Sequence, residues 1–77
     1  DLSKIKPNNI FKWIKTNNVS DAEMLKTFNC GVGFSIIVKK KNINRIKKYF
    51  SKEYIPYEIG FISKHKKKIN IYNKIKW

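Results

Sequence analysis

Apolar positions change their spacing along the chain, and each change marks an element. Ile10, Phe11, Trp13 and Ile14 recur at helical spacing, with Lys12 and Lys15 on the other side, which predicts a short amphipathic helix over about residues 8–16 with Trp13 on its buried side. Pro7 suits its start, because a fixed φ fits the first turn and the missing N–H would be unsatisfied there anyway. Asn17 and Asn18 make the stop, since asparagine tolerates the left-handed conformation that ends many helices. Ser20-Asp-Ala-Glu23 is a capping box, in which the Ser side chain accepts from the third helical residue and Glu reaches back to the cap. A second helix follows over residues 21–28, burying Met24, Leu25 and Phe28.

The period then shortens. Residues 34–38, Phe-Ser-Ile-Ile-Val, are β-branched and brief enough for a buried strand, and Lys39, Lys40 and Lys41 mark its exposed end. Asn42 is placed to cap a third helix, where Ile43, Ile46, Tyr49 and Phe50 fall three and four apart while Arg45, Lys47, Lys48 and Lys52 face water. After Ile55-Pro56, Tyr57, Ile59 and Phe61 alternate with Glu58, Gly60 and Ile62 as a strand does. Residues 64–68 are lysine-rich and turn the chain, and Ile69, Ile71 and Tyr72 make a last strand. The order helix, helix, strand, helix, strand, strand predicts an α+β fold, a small mixed sheet covered by helices. Three strands are few for an independent sheet, so partner strands are expected upstream, in a larger domain of which this chain is part.

Composition narrows the class. A 77-residue chain is at most one small domain, burying only about 60% of the surface its unfolded form exposes. Its 42% hydrophobic and 14% aromatic content belongs to a globular chain rather than a disordered one. No apolar run approaches the roughly 20 residues that span a bilayer, and Lys4 and Lys6 precede no apolar stretch of secretory length. Cys30, the one cysteine, cannot form an internal disulfide. A cytoplasmic setting without membrane contact is expected, and a start at Asp1 rather than Met reads as a fragment.

The formal charge of +13 suggests phosphate backbones or anionic lipid. Yet among 18 basic residues only Arg45 is arginine, whereas readers of nucleic acid favour the planar, bidentate guanidinium. Lys, Ile and Asn, with A- and T-rich codons, make up roughly half the chain, so drift in base composition also accounts for the charge. Both origins stay open on composition alone, and a free-standing lysine-rich module binding RNA or DNA, with Tyr49, Tyr54, Tyr57 or Tyr72 stacking on bases, is the alternative function.

Chemistry concentrates at Asn29-Cys-Gly-Val-Gly33, between a capped helix and a predicted strand, where glycines let the backbone turn and let another group approach. No Lys-Ser/Thr follows the second glycine, which excludes a Walker phosphate loop, and the glycines lead into a strand instead of out of one, which excludes a dinucleotide fingerprint. On spacing alone a tight turn with no ligand is the favoured reading.

The stretch Ile10-Phe-Lys-Trp-Ile-Lys15 followed by Asn18-Val-Ser-Asp-Ala-Glu-Met-Leu-Lys-Thr-Phe-Asn-Cys-Gly-Val-Gly33 resembles the carboxy-terminal domain of the phosphoribosylformylglycinamidine cyclo-ligase (aminoimidazole ribonucleotide synthetase) family. Tyr57-Glu-Ile-Gly60 is similar to that family's penultimate strand. The likeness is dense over residues 10–33 and weak after 62. Asn17 stands where the family usually has Gly, and Phe34 where it commonly has Met.

The resemblance implies that residues 1–77 are part of the carboxy-terminal domain of an enzyme that uses ATP to close the imidazole ring of formylglycinamidine ribonucleotide in purine biosynthesis. It implies ATP and magnesium as cofactors, bound mainly by an amino-terminal domain absent from this chain, so that the fragment alone is inactive. It also implies a homodimeric full enzyme with small-molecule partners and no role for nucleic acid. Such chemistry rests on positioned phosphates and charge stabilisation more than on a protein nucleophile. The substrate-binding residues it implies here are Thr27, Asn29, Gly31 and Gly33, with no catalytic side chain and no metal ligand.

Each of these residues has a plainer role beside the functional one. Asn29 satisfies its own turn as Asx residues do, and the glycines serve the backbone. Cys30 has no His or acidic neighbour in sequence to activate it and reads as a small buried residue. His65 stands among Lys64, Lys66, Lys67 and Lys68, whose charge disfavours its protonation. Trp77 has no place in any predicted element.

Overall fold

Two short helices and the chain's last residues close around one small core. The computed structural model describes residues 1–64 and 66–77; the reading of His65 falls outside them. Helix α1 (Asn9–Lys15) begins after Asn8, whose backbone is extended at φ −69°, ψ 158°. Its end is tied down twice, since Thr16 Oγ1 (2.6 Å) and Asn17 Nδ2 (3.0 Å) both donate to the Trp13 carbonyl. The left-handed residue that follows is Asn18, at φ 60°, one place later than the Gly-like position at Asn17. Helix α2 (Asp21–Thr27) starts with the Ser20 half of the predicted capping box, the Glu23 amide donating to Ser20 Oγ at 3.2 Å, while the Glu23 side chain makes no bond back to the cap among the described residues. Asp21 and Glu23 in its first turn complement the helix dipole.

Met24 on α2 is fully buried, and Cys30 and Ile75 join it to form the centre of the core. Leu2, Ile5, Phe11, Ile14, Val19, Leu25, Phe28 and Trp77 pack around them, and the Phe11 and Phe28 rings meet tilted at 5.9 Å. The buried face of α1 is therefore Phe11 and Ile14, three residues apart. Trp13 is 65% exposed, which corrects its predicted place on the buried side: one narrow stripe meets α2, and Trp13 lies off it.

The predicted sheet is not formed. Among the described residues no strand is present, and the order of elements is a 3₁₀ turn (Leu2–Lys4), α1, α2, a 3₁₀ turn (Lys40–Asn42), helix α3 (Ile43–Lys47) and a 3₁₀ turn (Lys52–Tyr54). The expected α+β architecture, a mixed sheet covered by helices, is overturned. The reason is pairing. Residues 34–38 have the composition of a strand, but a strand exists only through a ladder, and their backbone groups bond to no described backbone. Phe34 and Ile37 are more than 80% exposed. Residues 57–62 and 69–72 also form no ladder; among backbone bonds between described residues, their Ile59 carbonyl accepts from the Asp1 amino group (2.9 Å) and their Tyr72 carbonyl from the Leu2 amide (3.0 Å).

The third helix is also shorter than predicted. Asn42 makes no side-chain cap and lies in the 3₁₀ turn before α3, and Tyr49 and Phe50 fall beyond the helix, exposed. With one half of the chain holding the core and the other open, the radius of gyration is 14.2 Å, against about 11.5 Å for a compact chain of this length. Residues 31–38, α3 and residues 49–62 line an open apolar concavity of about 1430 Å³ on this second half.

Candidate functional site

Helix α2 delivers the chain into a tight turn, and the core fixes that turn from beneath. The helix stops at Phe28, whose backbone is extended at φ −124°, ψ 150° while its amide still donates to the Met24 carbonyl. The Val32 amide then donates to the Asn29 carbonyl at 2.9 Å, with positive φ at both central residues, 51° at Cys30 and 96° at Gly31. Two successive left-handed residues closed by such a bond give a primed turn. Asn29 Oδ1 accepts from the Gly31 amide at 3.0 Å, an Asx contact that reinforces it.

Cys30 is the plug between turn and core. It is 1% exposed, and its Sγ–H faces the Met24 and Phe28 carbonyls, each at 3.6 Å. Burial is the first cause that raises its thiol above the ordinary 9.0, with the Asp21 charge second. A neutral, buried thiol is a packing group rather than a nucleophile, as its sequence surroundings suggest.

Gly31 and Gly33 differ in kind. A Cβ on Gly31 would lie 2.9 Å from the Lys6 carbonyl oxygen and 3.4 Å from Asn8 Oδ1, so the turn rests against the segment that leads into α1. A Cβ on Gly33 would meet nothing within 4 Å. Of the four residues singled out in the sequence, Thr27, Asn29 and Gly33 are exposed and Gly31 is half-buried. The turn thus offers solvent the Thr27 hydroxyl, the Asn29 amide nitrogen and the backbone around Gly33. Asn29 Nδ2 is a double donor with no bond to a described residue, because its amide oxygen alone is used by the turn. Such groups can hold a phosphate, carbonyl or hydroxyl.

Sequence reasoning missed the groups that fasten this arrangement. Asp21 Oδ1, at the start of α2, receives Lys15 Nζ at 3.0 Å and Trp77 Nε1 at 3.0 Å. Lys15 Nζ also donates to the Val19 carbonyl at 2.6 Å, bridging the link between α1 and α2. These bonds hold the Asp21 carboxyl below its usual range, the Lys15 bond first and the Trp77 bond second. A capping residue followed by an acidic one was visible in the sequence; a tryptophan 56 residues away was not. Among the described residues no three His, Cys, Asp or Glu side chains gather to hold a metal ion, and no helix is long and apolar enough to cross a membrane.

A family model described as AIR synthase related protein, C-terminal domain, matches residues 2–72. A protein named phosphoribosylformylglycinamidine cyclo-ligase from Methanococcus vannielii is 53% identical over 47 residues, covering 60% of this chain and 13% of that protein. One of the same name from Pyrococcus horikoshii is 38% identical over 64 residues, covering 83% of this chain and 19% of the relative. The chain thus spans less than a fifth of the length of either relative. No solved structure matches it significantly.

Proposed function

The chain belongs to the AIR synthase related protein family, through its C-terminal domain, and on that premise we propose that it supplies one wall of the ribonucleotide site of a phosphoribosylformylglycinamidine cyclo-ligase. The observation that carries this reading is the 53% identity to a protein of that name. Both relatives bear it, which favours ring closure over the lysine-rich nucleic-acid module. The remainder of the enzyme, including an amino-terminal domain that binds ATP, lies outside residues 1–77, and the assembled enzyme is a cytoplasmic homodimer.

In the proposed reaction ATP supplies the phosphoryl group that turns the formyl oxygen of formylglycinamidine ribonucleotide into a leaving group. An internal nitrogen then forms the bond to the formyl carbon, the carbon–oxygen bond breaks, and ADP, phosphate and a proton are released with aminoimidazole ribonucleotide. This chain's residues bind and orient. Asn29 Nδ2 donates to a substrate oxygen while Asn29 Oδ1 keeps the turn closed, Thr27 adds a hydroxyl, and the bare backbone at Gly33 admits close approach. Gly31 shapes the turn without needing to touch substrate. Holding the reacting groups in line is where such a site gains rate. ATP and magnesium are assigned to the amino-terminal domain, and no step on this chain runs through the metal.

The test is turnover by the complete polypeptide. Given formylglycinamidine ribonucleotide, ATP and magnesium, it should form aminoimidazole ribonucleotide and ADP one for one, while the 77-residue chain forms neither. Absence of product from the complete polypeptide, together with submicromolar oligonucleotide binding at physiological salt by the short chain, would reverse the assignment.

A further inference from the structure

The family match ends at residue 72, yet the core does not. Asn73 turns the chain at φ 62° and ties back to Asp1, Nδ2 donating to Oδ1 at 2.9 Å. Two residues later Ile75 enters the same buried cluster as Met24 and Cys30, at 6% exposure. Trp77 packs on that cluster and donates its indole N–H to Asp21. Every other side chain of the stretch 73–77 is polar and exposed, so these two anchors account for its course. Ile75 thus shares the pocket of Cys30, the first central residue of the turn, and Trp77 fixes the first residue of the helix that delivers it.

We propose that residues 73–77 are a strap, anchored by Ile75 and Trp77, that sets the position of the turn at residues 29–32, and that Trp77 is a positioning residue for the ribonucleotide the turn receives. The second part rests on the function proposed above; the first does not. The Lys6–Asn8 backbone abuts Gly31 on one side, and the strap closes the core beneath Cys30. Cys30, a non-glycine residue at φ 51°, is costly to hold in the left-handed region, and the strap supplies a contact that local sequence cannot.

Two readouts separate the parts. In the 77-residue chain, Ile75→Ala should open the pocket and speed alkylation of Cys30 by iodoacetamide about tenfold or more, as expected when a buried aliphatic group is lost beside a locally opening site. An unchanged rate overturns the strap, whether or not the complete polypeptide is active. In the complete polypeptide, Trp77→Phe keeps an aromatic ring, though a smaller one, and removes the donor, and should raise KM for the ribonucleotide about fivefold with kcat within about twofold, the pattern of lost binding rather than lost chemistry. Val19→Ala is the control, loosening the same cluster while leaving every residue of 73–77 and the Trp77–Asp21 bond in the sequence. If it moves KM as much as Trp77→Phe at an equal loss of melting temperature, Trp77 is structural only and the positioning role is overturned.

Discussion

Replacing Gly31 with alanine should markedly destabilise this small core. Two costs meet at the site. An L residue at φ +96° gives up about 1–2 kcal/mol in a left-handed conformation. The new Cβ would also sit 2.9 Å from the Lys6 carbonyl oxygen, a backbone atom that moves only with its segment, and relieving that contact costs about 1–2 kcal/mol more. The sum, about 2–4 kcal/mol, is a large share of the roughly 4–11 kcal/mol expected for a chain of this length. It corresponds to a melting temperature lower by about 10–25 °C. Urea titration followed by circular dichroism measures it, with the midpoint falling at constant slope. Gly33→Ala is the internal comparison, since its Cβ meets nothing within 4 Å and the change should be neutral or stabilise by a few tenths of a kcal/mol. A Gly31→Ala chain within about 0.5 kcal/mol of wild type would refute the packing of the turn against residues 6–8.

Three further outcomes follow from the core and its titrating groups. Met24→Ala empties a fully buried helix side chain and should cost about 2–5 kcal/mol, measured by the same urea titration. Asp21 titrates below its ordinary 3.8 because Lys15 and Trp77 bond its carboxylate. Its contribution is therefore present above 3.8 and lost as pH falls through the lower folded value; Trp77 fluorescence in a Trp13→Phe background should report that step, and Asp21→Asn should abolish it. Cys30 lies on the alkaline side. Its thiol is raised above 9.0 by burial, so the folded state keeps a proton that the unfolded chain releases, and stability should decline as pH climbs past 9.0, measured as a slope that Cys30→Ala removes.

Local rules made the helical half of this fold readable. Ser20 and Glu23 announced α2, and asparagines marked the end of α1, because capping is written in neighbouring residues. Trp13 misled, since spacing gives a helix face but not the width of its partner. The run at residues 34–38 misled more deeply: β-branched composition describes a segment that can pair, while the ladder depends on a second segment. Ile75 and Trp77 were invisible for the opposite reason. Two apolar residues among lysines form no period, and the Asp21 contact spans 56 residues. At the turn, the sequence indicated glycine's purpose without separating Gly31, which the Lys6 carbonyl requires, from Gly33, which faces open space.

The central claim is that the turn after α2 receives the ribonucleotide through Asn29. Asn29→Asp tests it most directly, because the acid keeps an oxygen that accepts from the Gly31 amide and so leaves the turn closed, while it exchanges the amide donors for a charged acceptor that repels a substrate oxygen. In the complete polypeptide the melting temperature should stay within about 2 °C of wild type, while kcat/KM for formylglycinamidine ribonucleotide falls about tenfold or more, the loss of one hydrogen bond to a charged or polar group. A variant with wild-type kcat/KM would contradict the claim and leave Asn29 as a turn residue alone.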